Sequence, residues 1–427
     1  VLLGYMSAYP SPTRADPNHV TYFLVHQRCA CHIINLIVKS GLKVCKDWLD
    51  DLRTAVNFLN SSNHRIALFK NFCIAKGVTP RKFGLDMDVR WNSTFLMLKH
   101  LIPYKEVFTV FINSNYGSEL LTNVHWYVAE HMFKFLQLFY DSTVILSGVY
   151  YPTAPLVLHQ MFEIAEHLQQ AESNEHFRPI ARPMKAKFLK YWKKITLLYS
   201  YAMILGPRGK MKGFQRALEL LGKALNVNYS LYYSDVKSEL TRLFCKYQEK
   251  YGNETSTARA QRSMLPPSGA ANRWGRIFES SSSTPSTTSA VNELTAYLDS
   301  DSVSWADPNF DILLWWRDHK QTYPILSILA RDIMVVPVST VSSESCFSLT
   351  GRILEDRRRR LLPEHVEMLT CIKDWDQATR KEQHTVVDKD LEELFKNLWI
   401  GDPPADPDGS GTGSGTGSER ASHSTGG

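Results

Sequence analysis

Between Arg178 and Arg216 the chain interleaves basic side chains with aromatic rings. That stretch holds eleven Lys or Arg and no Asp or Glu. Lys185, Lys187, Lys190, Lys193, Lys194, Arg208, Lys210 and Lys212 are among them. Such a run would attract a polyanion and release its counterions on binding. Phe188, Tyr191, Trp192, Tyr199 and Tyr201 lie between the charges. A solvated helix face is the plainer reading of the same run. A second candidate is Asp88-Val89-Arg90-Trp91-Asn92-Ser93-Thr94. Arg90 brings a fixed fork of donors for phosphate, and Trp91 a flat face for an unstacked base. Trp91 as a core aromatic, with Arg90 paired to Asp86 or Asp88, fits equally. Cys29, Cys31 and His32 are soft donors, yet no second ligand pair lies near them, so no metal site is expected. Arg357 to Arg360 suits phosphate binding, nuclear import or a solvated helix end.

These groups need a frame. A chain of 427 residues has room for two or three domains and a large core. A net charge of +6 and a pI of about 8.8 fit nucleic-acid contact without requiring it. Seven cysteines without a CxxC pair point to free thiols in a reducing compartment. The chain opens on Val1, with no secretory signal, which is expected of a processed chain or a fragment. The longest nearly uncharged run, 142–161, is broken by Pro152 and Pro155 and is not read as a membrane span.

Apolar spacing predicts helices over Asp47–Phe72, Thr94–Ile102, Val124–Leu146, Pro152–Gln170, Gln215–Leu225 and Ser234–Tyr251. Gly41 reads as a helix stop, and weak alternation over Phe83–Trp91 as a short strand. Residues 1–19 read as irregular. Ser, Thr, Pro and Gly over 253–289 predict a linker, and the Gly/Ser-rich 400–427 a disordered tail.

The last third runs from Tyr323-Pro-Ile-Leu326 through Ser343-Glu344-Ser-Cys-Phe347-Ser to Val366-Glu-Met-Leu369 and Trp375. It resembles the C-terminal dimerisation region of the hAT transposase family, in the plant-type form whose members carry an N-terminal BED zinc finger. Arg28-Cys29-Ala-Cys31-His32-Ile-Ile-Asn35-Leu36 resembles the family's Cys-x-x-His segment, roughly Arg-Cys-x-Ala-His-x-x-Asn-Leu. Asp88 to Thr94 resembles its Arg-Trp motif, whose Trp in active relatives lies near the cleaved DNA end. Leu205-Gly206-Pro207-Arg208 stands where the family has Leu-Asp-Pro-Arg.

The resemblance implies a mainly α fold with an α+β remnant. That is an incomplete RNase H-like core with a large helical insertion over 20–252, and a helical dimerisation region over 290–399. It implies self-association through Trp315, Trp316, Tyr323, Leu326, Phe347, Val366, Leu369 and Trp375; a monomeric core is the alternative. Active relatives hold two divalent ions with two Asp and one Glu. Glu344 maps onto that Glu, but no Thr-x-Asp-x-Trp segment is present, and residues 1–27 hold only Asp16. Glu344 is therefore expected to be vestigial, or simply a helix-start residue. No cofactor is expected, and Mg²⁺ only if an upstream part supplies the other ligands.

The expected protein is non-catalytic, transposase-derived and nuclear, N-terminally truncated and without the BED finger. It would bind DNA through phosphates and form a homodimer or higher oligomer, with no membrane and no small-molecule substrate. A fragment of an active transposase and a degenerate remnant are the alternatives.

Overall fold

The computed structural model describes residues 28–84, 91–262, 291–304, 306–307, 309–340 and 362–379. Among the described residues every regular element is a helix. None is long and apolar enough to cross a membrane.

Helix α1 (Ala30–Leu42) buries Ile33, Ile34, Ile37 and Val38. It packs most extensively on α8 (Arg178–Trp192), which buries Ile180, Ala181, Met184 and Phe188. Helix α1 ends at Leu42, one residue past Gly41, as the stop reading indicated, but the glycine also serves the packing. It is buried inside α1, and a Cβ there would press on Met184 Sδ, at 2.8 Å from Met184 Cγ and 3.1 Å from Ile180 Cγ2. A missing side chain lets the two helices approach. The chain then continues through a 3₁₀ turn, Lys43–Cys45, into α2 (Lys46–Asn60).

The helix expected over Asp47–Phe72 breaks in two. After α2, Ser62 is extended, and α3 spans Asn63–Ala75. Ser-Ser-Asn offers cap groups that compete with helical hydrogen bonds. Arg65 fixes the corner by donating to Phe58 O at 2.7 Å and Ser61 Oγ at 2.6 Å. The expected strand is not seen at Phe83 and Gly84, which are irregular; 85–90 lie outside the described residues. Helix α4 (Trp91–Leu101) begins immediately after, followed by α5 (Lys105–Tyr116), which ends at Gly117 with φ of 88°.

Thr122 and His125 form a capping box at the start of α6 (Asn123–Leu146). His125 Nε2 also lies 3.0 Å from Asp51 Oδ2 on α2. Helices α7 (Val157–Ser173) and α10 (Lys210–Leu225) follow the expected periods, α10 starting before Gln215, whereas α9 (Leu197–Ile204) is a helix that the apolar spacing had not indicated. Helix α11 (Ser230–Arg262) continues past the expected Tyr251 into the first part of the expected linker. In the C-terminal third, α14 (Pro324–Met334) packs on α9 and α11, α12 (Val291–Asp299) on α11 and α14, and α13 (Ile312–Asp318) on α14, in one continuous core. Helix α15 spans Pro363–Thr379.

Gly41→Val should overfill the α1–α8 crossing. The expected loss is about 1–3 kcal/mol, measured as a shift in denaturant midpoint with an unchanged slope.

Candidate nucleic-acid and self-association surfaces

The basic stretch divides into charges spent inside the protein and charges left outside. Lys210 is only 2% exposed. Its backbone has φ of 49°, which turns the side chain inward at the start of α10. Nζ donates to Tyr297 O at 3.0 Å, Ser300 O at 2.7 Å, Ser300 Oγ at 2.6 Å and Asp301 O at 2.8 Å. It thus caps the C-terminal end of α12, where a cation meets unsatisfied carbonyls. Burial pulls the ammonium below its ordinary value, against the opposing effect of Asp301. Lys210 is therefore no phosphate contact.

Arg208 is committed in the same way. It donates to Asp307 O and lies 4.2 Å over the Phe310 ring. Nor is the run uncompensated, as the sequence had indicated. Glu172 pairs with Lys185 at 2.8 Å and Arg182 at 3.8 Å, and Glu219 with Arg216 at 3.4 Å. The carboxyl of Glu172 is held low by Lys185 first.

Lys190, Lys193, Lys194 and Lys212 are exposed, and Lys187 is half-buried. Of the interleaved aromatics, Phe188, Trp192, Tyr199 and Tyr201 are buried. Tyr191 is half-buried, and the crossing of α1 with α8 brings Arg28 to 5.3 Å over its ring, with Lys190 at 5.6 Å. Sequence separation hid this cluster. The spacing of Lys187 and Tyr191 along α8, with Lys194 just past its end, was the available signal.

Trp91 is a core residue at 4% exposure, edge-on to Phe95 at 6.4 Å between ring centres. It cannot offer a face to a base, which corrects that expectation. Arg90, Asp86 and Asp88 lie outside the described residues, as do Arg357 to Arg360, Glu344 and Phe347.

Cys29 starts α1. Its Sγ accepts from His32 N at 3.4 Å, the part usually played by Ser or Asp. It also accepts from Thr340 N at 3.3 Å and lies 3.7 Å from Ser339 Oγ. Ala30 N donates to Val338 O at 2.8 Å. The first turn of α1 is thus completed by 338–340. A hydrogen bond from Cys31, with those of Thr340 and His32, outweighs burial and lowers the Cys29 thiol to about 4. Cys31 itself is buried, with Sγ 3.6 Å from Thr143 O. His32 is exposed and contributes its backbone N–H. Among the described residues no three His, Cys, Asp or Glu come together as a metal site would need.

The expected dimerisation residues also divide. Trp316, Tyr323 and Leu326 belong to the chain's own core, and Trp316 Nε1 donates to Leu205 O at 3.0 Å. Trp315 is half-buried and stacks on His319 at 3.8 Å between ring centres. Val366 is buried, but Met368, Leu369, Ile372 and Trp375 are exposed, Trp375 to 66%. Their spacing puts them on one face of α15.

Comparison with known proteins matches this layout. Residues 27–135 match the ZBED1 RNase-like helical domain, 155–247 the hAT-like transposase RNase-H fold, and 293–375 the hAT family C-terminal dimerisation region. The chain belongs to the hAT transposase-related family. A Zea mays protein carrying the AC transposase name is 33% identical over 366 residues, 83% of this chain and 44% of that protein. The zinc finger BED domain-containing protein RICESLEEPER 2 of Oryza sativa subsp. japonica is 30% identical over 369 residues, 82% of this chain and 50% of that protein. The chain spans about half the length of the curated relatives it matches.

Two outcomes follow for this hAT chain. Lys210→Met strands several buried carbonyls and should cost about 1–3 kcal/mol, read by thermal or urea denaturation. Cys29 sets a pH slope. Between about 4 and its ordinary 9 the unfolded chain keeps the proton that the folded chain has lost. Stability contributed by the thiolate is then fully present above the upper value and lost as pH falls through the lower one. Cys29→Ser, which keeps a cap without the ionisation, should flatten the dependence of the urea midpoint on pH in that window.

Proposed function

We propose that this chain is a non-catalytic, hAT transposase-derived nuclear protein that binds DNA through phosphates and pairs with a second copy of itself. The observation that carries the DNA reading is the cluster around Tyr191. Lys187, Lys190, Lys193 and Lys194 enter no ion pair among the described residues, and Arg28 joins them from just before α1. Phosphates would be drawn to the lysines, and the half-open tyrosine edge would sit among them. The self-association reading rests on the exposed face of α15 within the segment matched to the dimerisation region. Four large apolar side chains on one helical face are costly to leave in water and suit a like surface on a second copy.

Of the family's acidic set, Glu344 is the residue with a match within this chain. No cofactor is assigned. The second reading, a piece of an active transposase, is favoured by the short span relative to the Zea mays protein. Mg²⁺-dependent nicking of supercoiled plasmid by the product of the full natural reading frame separates the two. Nicking at the level of Glu344→Gln supports the first; nicking that this substitution abolishes supports the second.

For DNA, fluorescence anisotropy on a labelled duplex should give a log K against log salt line. Lys190→Gln with Lys194→Gln should reduce its slope by roughly 2, about 0.9 for each lost phosphate contact. An unchanged slope would remove this face from consideration. For self-association, Trp375→Asp should convert an oligomer to a monomer in sedimentation velocity with unchanged helical circular dichroism. A monomeric parent chain would sink the α15 reading.

A further inference from the structure

Helix α3 carries apolar side chains on two flanks, and one of them is left open. Phe69 and Cys73 are buried where the helix packs on α2 and α5. Arg65, Leu68, Phe72 and Lys76 recur at three and four residues, which sets them along another flank, about 16 Å from end to end. Leu68 is 40% exposed, Phe72 is half-buried and Lys76 is exposed. Phe58 near the end of α2 and Tyr116 at the end of α5 extend the strip, their rings meeting edge to face at 5.1 Å. Arg65 lies 4.0 Å over the Phe58 ring, and Lys76 5.7 Å over that of Phe72. A globular helix ordinarily buries its apolar stripe, so an open second stripe calls for a cover.

The strip is also cationic. Residues 52–85 hold six Lys or Arg and no Asp or Glu. Neither Arg65 nor Lys76 enters an ion pair among the described residues. A complementary occupant therefore brings carboxylates together with apolar side chains. Nucleic acid fits less well, because the Phe58 and Phe72 rings already carry cations and a phosphate backbone buries no leucine. The chain itself holds a segment of the required kind. Asp388, Asp390, Glu392 and Glu393 stand beside Leu391, Leu394, Phe395, Leu398 and Trp399. Those apolar residues recur at the spacing of one helical stripe, and Asp388 and Glu392 fall on its margin. The segment lies outside the described residues.

We propose that residues 388–399 of this chain are that cover, docking on the α3 strip as an acidic, amphipathic helix. The stripe of Leu391, Leu394, Phe395 and Leu398 covers Leu68 and Phe72, and Asp388 and Glu392 meet Arg65 or Lys76. Removing apolar surface from water on both sides supplies the attraction. The carboxylates fix the register and the direction of the segment along the strip. The contact uses neither the lysines around Tyr191 nor α15, so it stands or falls independently of both surfaces described above.

The test is zero-length carbodiimide cross-linking of the full chain at low salt, followed by peptide mapping. Lys76 should link to Asp388, Asp390, Glu392 or Glu393, with a yield that dilution leaves unchanged. Leu68→Asp, on the exposed flank, should abolish the link with helical circular dichroism unchanged. It should also speed tryptic cleavage after Lys396 by about tenfold, as the covered segment is released. Leu394→Ser with Phe395→Ser changes the segment and not α3, and should do the same. Leu231→Asp, at a leucine 80% exposed on α11, should alter neither readout. The proposal is overturned if the segment's carboxylates link to other lysines and not to Lys76. It is also overturned if the link forms only between isotope-labelled and unlabelled copies, which would make a second copy the occupant. Loss of the link on adding a DNA duplex, together with weaker DNA binding by Arg65→Gln, would give the strip to nucleic acid and sink the idea as well.

Discussion

The turn Leu205-Gly206-Pro207-Arg208-Gly209-Lys210 joins the helical body to the C-terminal third, and the rest of the arrangement depends on it. Leu205 O accepts from Trp316 Nε1, Ile204 O from Tyr297 O–H, and Pro207 O from Val303 N. Lys210 returns its ammonium to the end of α12. A buried ammonium is tolerable only when its donors are matched, and here backbone carbonyls match them without a counter-ion. The backbone of the turn is correspondingly tight. A Cβ at Gly209 would stand 3.0 Å from Met203 O, and at Gly206 3.1 Å from the same atom.

That docking divides the C-terminal region into two halves with different tasks. Trp316, Tyr323 and Leu326 face inward, where Tyr297, Trp315 and Trp316 form a ring cluster with centres 5.0 to 6.1 Å apart. This half belongs to the same core as α9 and α11. Helix α15 is the other half, with its apolar face outward. A region matched to dimerisation thus devotes its densest aromatic segment to its own chain and leaves the apolar face of a later helix exposed.

The same division applies to charge. Arg208 and Lys210 in the turn are consumed by structure, while Lys190 beside Tyr191, and Lys193 and Lys194 just past α8, remain on the surface. The close crossing of α1 and α8 at Gly41 brings Arg28 to that surface. The first turn of α1 in turn leans on 338–340 through Cys29. The basic surface around Tyr191, the start of α1 and residues 338–340 are therefore adjacent.

The sequence by itself determined the helical class, the family and the positions of the strongest helices, because 3.6-residue periodicity and local motifs are written in consecutive residues. Val124–Leu146 was legible almost to the residue, and α15's outward residues were already grouped as one apolar segment. Only the tertiary structure decided which charges and rings face water. Lys190 and Lys210 are the same residue type in the same basic run, yet one is exposed and the other caps a helix 87 residues away. Trp91 is buried and Tyr191 half-exposed for the same reason. Burial is set by what packs from elsewhere in the chain, and a linear pattern carries no record of that partner.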